Sequence, residues 1–308
     1  MKSLITGAAG FIGSNLIERL LQEDNEVLGV DLFGKSYTSN SASFGSFKNI
    51  ANLSCNVLPI DIRTEEFIKL LIDYEPDCIY HLAADSNTLS KNEFEIIKNN
   101  TLSFRNIVSY SEKTNCKLVY ASSASVYGNN NSEKIFSELN TLTNPENAYA
   151  FSKYQMEIMT RNTNAVGLRF FNVYGPNEIF KKSTGSVASQ IYQSFLERKE
   201  FKLFKNSEKI MRDFIYIEDV IDCCIAASNN GTGIYNVCTG IPRSFQDVYD
   251  IISDNVSLAE ATYKINPIEK GYQKYTCGST KKVKELISNF NPNTLEEGIK
   301  KMIKNFKI

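Results

Sequence analysis

Residues 4–16 read LITGAAGFIGSNL, an apolar run broken by glycines at 7, 10 and 13 and leading directly into a stretch with a helical apolar period. A strand that ends in such a turn and feeds a helix is the opening of a βαβ unit. Gly7 permits the tight turn, Gly10 lets the backbone approach a pyrophosphate, and Gly13 lets the helix pack close to the sheet. The helix N-terminus, with Phe11 and Ile12 beside the glycines, would stabilise the phosphate charge. About 20 residues on, Asp31 ends the next apolar run, where a carboxylate accepts hydrogen bonds from an adenosine ribose. The spacing predicts a dinucleotide site. Asp31, followed by Leu32, favours NAD, whereas Lys35 is placed to reach a 2′-phosphate, so one NADP or NAD per subunit is expected. Asp61 and Ile62 end a third run, where they would read the adenine edge; a helix N-cap is the other reading of Asp61.

The pattern repeats along the chain. Short apolar runs at 3–6, 27–30, 56–60, 78–83, 117–122 and 165–170 alternate with helical patterns such as FIGSNLIERLLQ. Continuous apolar strands between helices predict an α/β fold, a Rossmann-type doubly wound parallel sheet covered on both faces. Beyond residue 175 the alternation is irregular, with short strands (FKLF, DFIYI, IYNV) between helices around 187–198, 218–228 and 244–253. We expect residues 1–174 with about 212–239 to form the dinucleotide-binding domain. Residues about 175–211 with 240–308 would form a smaller mixed α/β substrate lobe. The Ser-, Gly- and Asn-rich segment 33–49 is too long for an ordinary β-α connection and reads as functional or mobile.

Composition narrows the partners. The 34 basic and 35 acidic side chains nearly cancel, which leaves no electrostatic case for nucleic acid or an anionic membrane. Seven cysteines, odd in number and without CxxC spacing, sit mostly in apolar runs and fit buried thiols in a reducing cytoplasm. The opening residues resemble a signal peptide only superficially, because Asn15, Glu18 and Arg19 follow with no cleavage site. His81 is the only histidine, so neither a Ser-His-Asp triad nor a His-rich metal site is expected.

NAYAFSKYQMEIM (147–159) places Tyr149 and Lys153 four apart, on one face of a predicted helix. YASSASVYG puts Ser122 and Ser123 just past the end of a strand that would face the cofactor. A Lys ammonium and an oxidised nicotinamide both stabilise a phenolate, so Tyr149 can accept an alcohol proton as hydride leaves, and a serine hydroxyl can orient the substrate oxygen. TGxxGxxG at 6–13, HLAA at 81–84, Ser123, YxxxK at 149–153 and RFFNVYGP at 169–176 together resemble the extended short-chain dehydrogenase/reductase family, over nearly the whole chain. The resemblance implies cofactor contacts at Leu82, Ala83, Ala84, Ser86, Asn99 and Val173, a structural His81, and a nucleotide-sugar substrate that Ser86 also touches. A homo-oligomer is expected.

The dehydratases of that family carry an acidic pair directly after the catalytic hydroxyl, where this chain has Ala124 and Ser125. The second half instead resembles the branch that epimerises ADP-heptoses, through GPNEIFKKSTGSVAS (175–189), LFKNSEKIMRDFIYIEDV, GIYNVCTGIPRSFQDV and GYQKYTCGS. There a lysine five residues after Gly-Pro serves as a second acid/base, and the count from Pro176 lands on Lys181, on a segment expected to be extended. Three extra residues follow it, so Lys182 is the alternative. Matching positions would place Asn172, Ser186, Gln193, Phe204, Ser207, Arg212 and Tyr272 at the substrate, with Arg212 as a phosphate clamp or, alternatively, in a surface ion pair with Asp213 or Glu208. A 4-epimerase or keto-sugar reductase on another nucleotide sugar shares every residue up to Pro176, and a nucleotide sensor would share the fold.

Overall fold

The computed structural model describes residues 1–33, 46–86, 92–129, 135–257, 261–265 and 273–306. In chain order the strands and helices are β1 (Lys2–Thr6), α1 (Phe11–Gln22), β2 (Glu26–Val30), β3 (Asn56–Leu58), α2 (Glu65–Tyr74), β4 (Cys78–His81), α3 (Glu93–Thr114), β5 (Lys117–Ser123), α4 (Ala148–Met159), β6 (Val166–Phe170) and β7 (Asn172–Tyr174). They continue as α5 (Val187–Leu196), β8 (Lys202–Phe204), β9 (Met211–Tyr216), α6 (Ile217–Asn229), β10 (Gly233–Val237), β11 (Pro242–Ser244), α7 (Phe245–Val256), β12 (Thr262–Lys264) and α8 (Leu295–Asn305).

The central sheet has seven strands in the order β3-β2-β1-β4-β5-β6-β10, and every neighbouring pair is parallel. Six of them follow the doubly wound order expected of two successive mononucleotide-binding halves. β10 joins beside β6, with Gly233 opposite Val166 and Val237 opposite Phe170. Two layers of buried side chains enclose the sheet, and the strand period of two sends neighbours to opposite sides. Leu4, Ile79, Leu118 and Tyr120 pack with Phe67, Phe104 and Met156 under α2, α3 and α4. Ile5, Tyr80, Val119 and Ala121 pack with Leu16, Ile17, Val220 and Cys224 under α1 and α6. The second layer runs on into Ile191 of α5, Val248 and Ile252 of α7, and Ile299 and Met302 of α8. The fold class read from the sequence is the one observed.

Three details differ from the sequence reading. Ser122 and Ser123 are the last two residues of β5, paired with Arg169 and Phe170 of β6. Residues Ile179–Thr184 form a 3-10 turn instead of an extended segment, because the Lys181 amide donates to the Glu178 carbonyl at 2.9 Å and the Thr184 hydroxyl donates to the Lys181 carbonyl at 2.7 Å. Asp61 is not a helix cap: Thr64 holds that position, its hydroxyl accepting from the Phe67 amide. β7 pairs with β9 in a separate three-stranded sheet completed by β11, and β8 pairs with β12. All seven cysteines are unpaired thiols, and all but Cys55 are buried. Among the described residues, no helix is long and apolar enough to cross a membrane.

Candidate active site

The strand order reverses between β1 and β4, and the carboxyl ends of β1 to β6 open there into a cavity of about 610 Å³. Gly7 makes the first turn with φ +71°, and a Cβ on it would stand 2.8 Å from the Ala83 amide nitrogen. A Cβ on Gly13 would come to 2.2 Å from the Gly7 carbonyl oxygen, so no larger residue lets α1 start here. α1 begins at Gly10 with no side-chain cap and no acid in its first turn, leaving its leading amides to an external anion. At the end of β2 the Asp31 carboxylate accepts from the Ala9 amide at 2.9 Å and the Phe33 amide at 2.8 Å. Burial raises its pKa and the amide bonds offset part of that rise. Asp61 is gripped from two sides by Arg63, whose Nη1 also donates to Asn99 Oδ1 at 2.6 Å. Arg63 thus ties the β3 exit to α3 along the cavity wall.

Asn147 caps α4 by accepting from the Ala150 amide at 2.9 Å, and the helix carries Tyr149 and Lys153 to the cavity. Burial pushes the Tyr149 phenol above its ordinary value and the hydrogen bond with Ser123 draws it back. Ser123 Oγ in turn accepts from the Ser125 hydroxyl at 2.9 Å. Lys153 is 1 % exposed, its Nζ has no protein partner, and burial lowers its pKa from 10.5 to about 7. An ammonium lining this cavity without a partner fits the hydroxyls of a bound ribose. His81 stays neutral: its pKa falls to about 3 through burial and, less, the charge of Lys153. The Thr6 hydroxyl accepts the Ala83 amide at 3.2 Å and lies 2.9 Å from His81 Nδ1, so His81 braces the β1 and β4 ends.

The depressed Lys153 value makes stability pH-dependent. Between about pH 7 and 10.5 the unfolded chain holds a proton at Lys153 that the folded chain has released, so this residue's contribution to stability rises with pH across that window and is lost below it. Denaturant titrations of cofactor-free protein should show wild type gaining on Lys153→Met by up to about 4 kcal/mol from pH 7 to 10. A pH-independent difference would contradict the burial argument.

Of the residues singled out in the sequence, the cavity brings together Gly7, Gly10, Phe11, Ile12, Gly13, Asp31, Leu32, Asp61, Ile62, Leu82, Ala83, Ala84, Ser86 and Asn99. Ser123, Tyr149, Lys153, Asn172, Val173, Lys181 and Ser186 line it too. Lys181 is 36 % exposed, with Nζ 3.9 Å from Glu178 and 5.5 Å from the Phe11 ring centre. Glu178, 2 % exposed, also accepts from the Ser186 amide at 2.8 Å and the Ser186 hydroxyl at 2.6 Å, joining this turn to the cap of α5. Four positions lie off the cavity wall. Gln193 donates to Glu197 on the outer face of α5, and Phe204 ends β8 beneath Lys264. The Ser207 hydroxyl donates to Gln246 at 2.9 Å. Arg212 donates to the carbonyls of Met211 and Gln273 and stacks toward the Phe245 ring, while Asp213 takes its hydrogen bonds from Thr239, Gly240 and Gly278. Lys35 and Tyr272 lie outside the described residues, and of Lys182 only the backbone is described.

The model of the NAD dependent epimerase/dehydratase family matches residues 3–238. The chain belongs to that family. It is 32 % identical over 295 residues to ADP-L-glycero-D-manno-heptose-6-epimerase of Brachyspira hyodysenteriae, covering 91 % of this chain and 90 % of the relative. The crystal structure of the Helicobacter pylori enzyme of the same name superposes with a TM-score of 0.87 at 32 % identity, covering 98 % of this chain and 95 % of that one. The Bacillus cereus UDP-glucuronic acid 4-epimerase, solved with UDP-glucuronic acid and NAD, superposes at 0.83 with 26 % identity over 99 % of this chain and 98 % of that one. As a family member the chain is an NAD-dependent epimerase-type enzyme. Two cavity-lining residues escaped the sequence reading. Arg63 stands two after Asp61, and Glu178 stands three before Lys181; each offers only a charge at short spacing, and the fold supplies its partner.

Proposed function

We propose that this epimerase inverts C6 of an ADP-heptose through a transient ketone, as one step in heptose supply for lipopolysaccharide. The observation that carries the reading is that one cavity holds both the Ser123, Tyr149 and Lys153 set and, on its far segment, Lys181. The 32 % identity to two proteins bearing that name supports the choice of sugar over a UDP-hexose. When bound in the glycine cradle, the dinucleotide supplies a hydride acceptor and donor. Tyr149, as the phenolate that the Lys153 ammonium stabilises, takes the hydroxyl proton at Oη and becomes the phenol, and Ser123 holds the substrate oxygen. In the second pose of the ketone, Lys181 Nζ delivers the proton that Tyr149 no longer reaches. Incubating the protein with ADP-D-glycero-D-manno-heptose and following both epimers by NMR tests this; no interconversion, with turnover of a UDP-hexose instead, would replace the substrate.

We assign the cofactor as NAD, one per subunit of a homo-oligomer. Asp31 presents its carboxylate at the cavity wall, where it suits a ribose diol and repels a 2′-phosphate. Cofactor released by denaturation should have the mass of NAD or NADH. NADP alone would mean that Lys35 outweighs Asp31.

A further inference from the structure

Tyr149, Lys153 and Glu157 recur every fourth residue along α4 and form one stripe. The first two line the cavity, and Glu157 lies one turn beyond them, buried between the helix and the sheet. It takes three short hydrogen bonds: from the Ser122 hydroxyl at 2.6 Å, and from Arg169 Nε at 2.8 Å and Nη2 at 2.7 Å. Ser122 and Arg169 are cross-strand partners at the carboxyl ends of β5 and β6. The next residue on each strand, Ser123 and Phe170, lines the cavity. Arg169 is pinned from another side by the Tyr127 ring, 4.5 Å away, whose hydroxyl donates to Asn236 of β10 at 2.8 Å.

A buried ion pair is weak grounds for stability, because apolar side chains of similar volume hold a helix to a sheet as well or better. What apolar packing does not do is fix the helix along its own axis, and a bidentate guanidinium on a carboxylate does. We infer that Glu157 is a positioning residue: by bridging Ser122 and Arg169 it sets where the Tyr149 hydroxyl stands relative to Ser123. This rests on the roles given above to Ser123 and Tyr149. Proton transfer needs those groups within hydrogen-bond reach of one substrate oxygen, and a displacement of 1 Å costs on the order of 100-fold.

The test uses the holoenzyme and the variants Glu157→Gln, whose amide nitrogen cannot accept from Arg169, and Ser122→Ala, which removes one hydroxyl and tests the same bridge if the first variant fails to fold. Glu157→Gln should lose about 10- to 100-fold in kcat with KM for the nucleotide sugar and cofactor content within about threefold of wild type. Ser122→Ala should lose less, in the same pattern. A second readout needs no substrate: the ultraviolet titration of the Tyr149 phenol, taken as the difference between each protein and its Tyr149→Phe counterpart, should be displaced in Glu157→Gln. An unchanged kcat, or a phenol titration that coincides with wild type in the folded variant, overturns the inference. If Tyr149→Phe in the wild-type background keeps its turnover, the role of Tyr149 falls instead, and the phenol titration still decides whether Glu157 positions that side chain.

Discussion

Tyr149→Phe is expected to fold and retain cofactor while losing about 10²- to 10⁴-fold in turnover, the usual contribution of a positioned acid/base. The ring stays, so the packing of α4 changes little, and Ser123 keeps its bond from Ser125. What goes is the one oxygen in this arrangement that joins Ser123 to the face occupied by Lys153, whose Nζ lies 5.8 Å from the Tyr149 ring centre. Burial holds that phenol protonated and lowers Lys153 to about 7. NMR of epimer interconversion with matched cofactor occupancy measures the loss. Turnover within a few-fold of wild type would end the assignment of Tyr149 as the proton acceptor.

The doubly wound sheet was legible because each of its strands announces itself by an apolar run, and because the glycine turn at 7–13 admits one local geometry. The half of the cavity that lines the glycine turn was legible for the same reason: its residues sit at strand ends, and the strand order is dictated by the βαβ repeat. The far side was harder. β7, β11 and β12 are three residues each, too short for a period to register. α8 went unread although Thr294 and Glu297 form a capping box ahead of it, a signal short enough to pass as surface polarity. Counting from motifs carried Asn172, Lys181 and Ser186 to the cavity. It carried Ser207 to the turn between β8 and β9 and Arg212 to β9, where hydrogen bonds to Gln246 and to backbone carbonyls decide where the side chains lie, and no spacing encodes those bonds.

Lys181→Met is expected to abolish epimer interconversion, by at least about 100-fold, while leaving single-direction redox chemistry on a simpler carbonyl analogue that needs Tyr149 alone. A secondary alcohol carbon with no activating neighbour does not give up its C–H as a proton at useful rates, so inversion requires hydride to leave and return on opposite faces of a ketone. A dinucleotide anchored at its pyrophosphate by the glycine cradle would keep its nicotinamide in place, so the sugar would have to turn, and its oxygen would then face a different wall. Lys181 stands on such a wall, on the turn Ile179–Thr184 and against Phe11, with Glu178 and Ser186 fixing that turn to the cap of α5. Lys182→Met should lose far less, since the count from Pro176 lands on its neighbour, which lines the cavity. The two variants compared in one assay separate the cases. Equal losses, or a dead Lys182→Met beside an active Lys181→Met, would show that the three residues before Gly185 have moved the base by one position, and the exposure of Lys181 would then be the reason that it was not the one used.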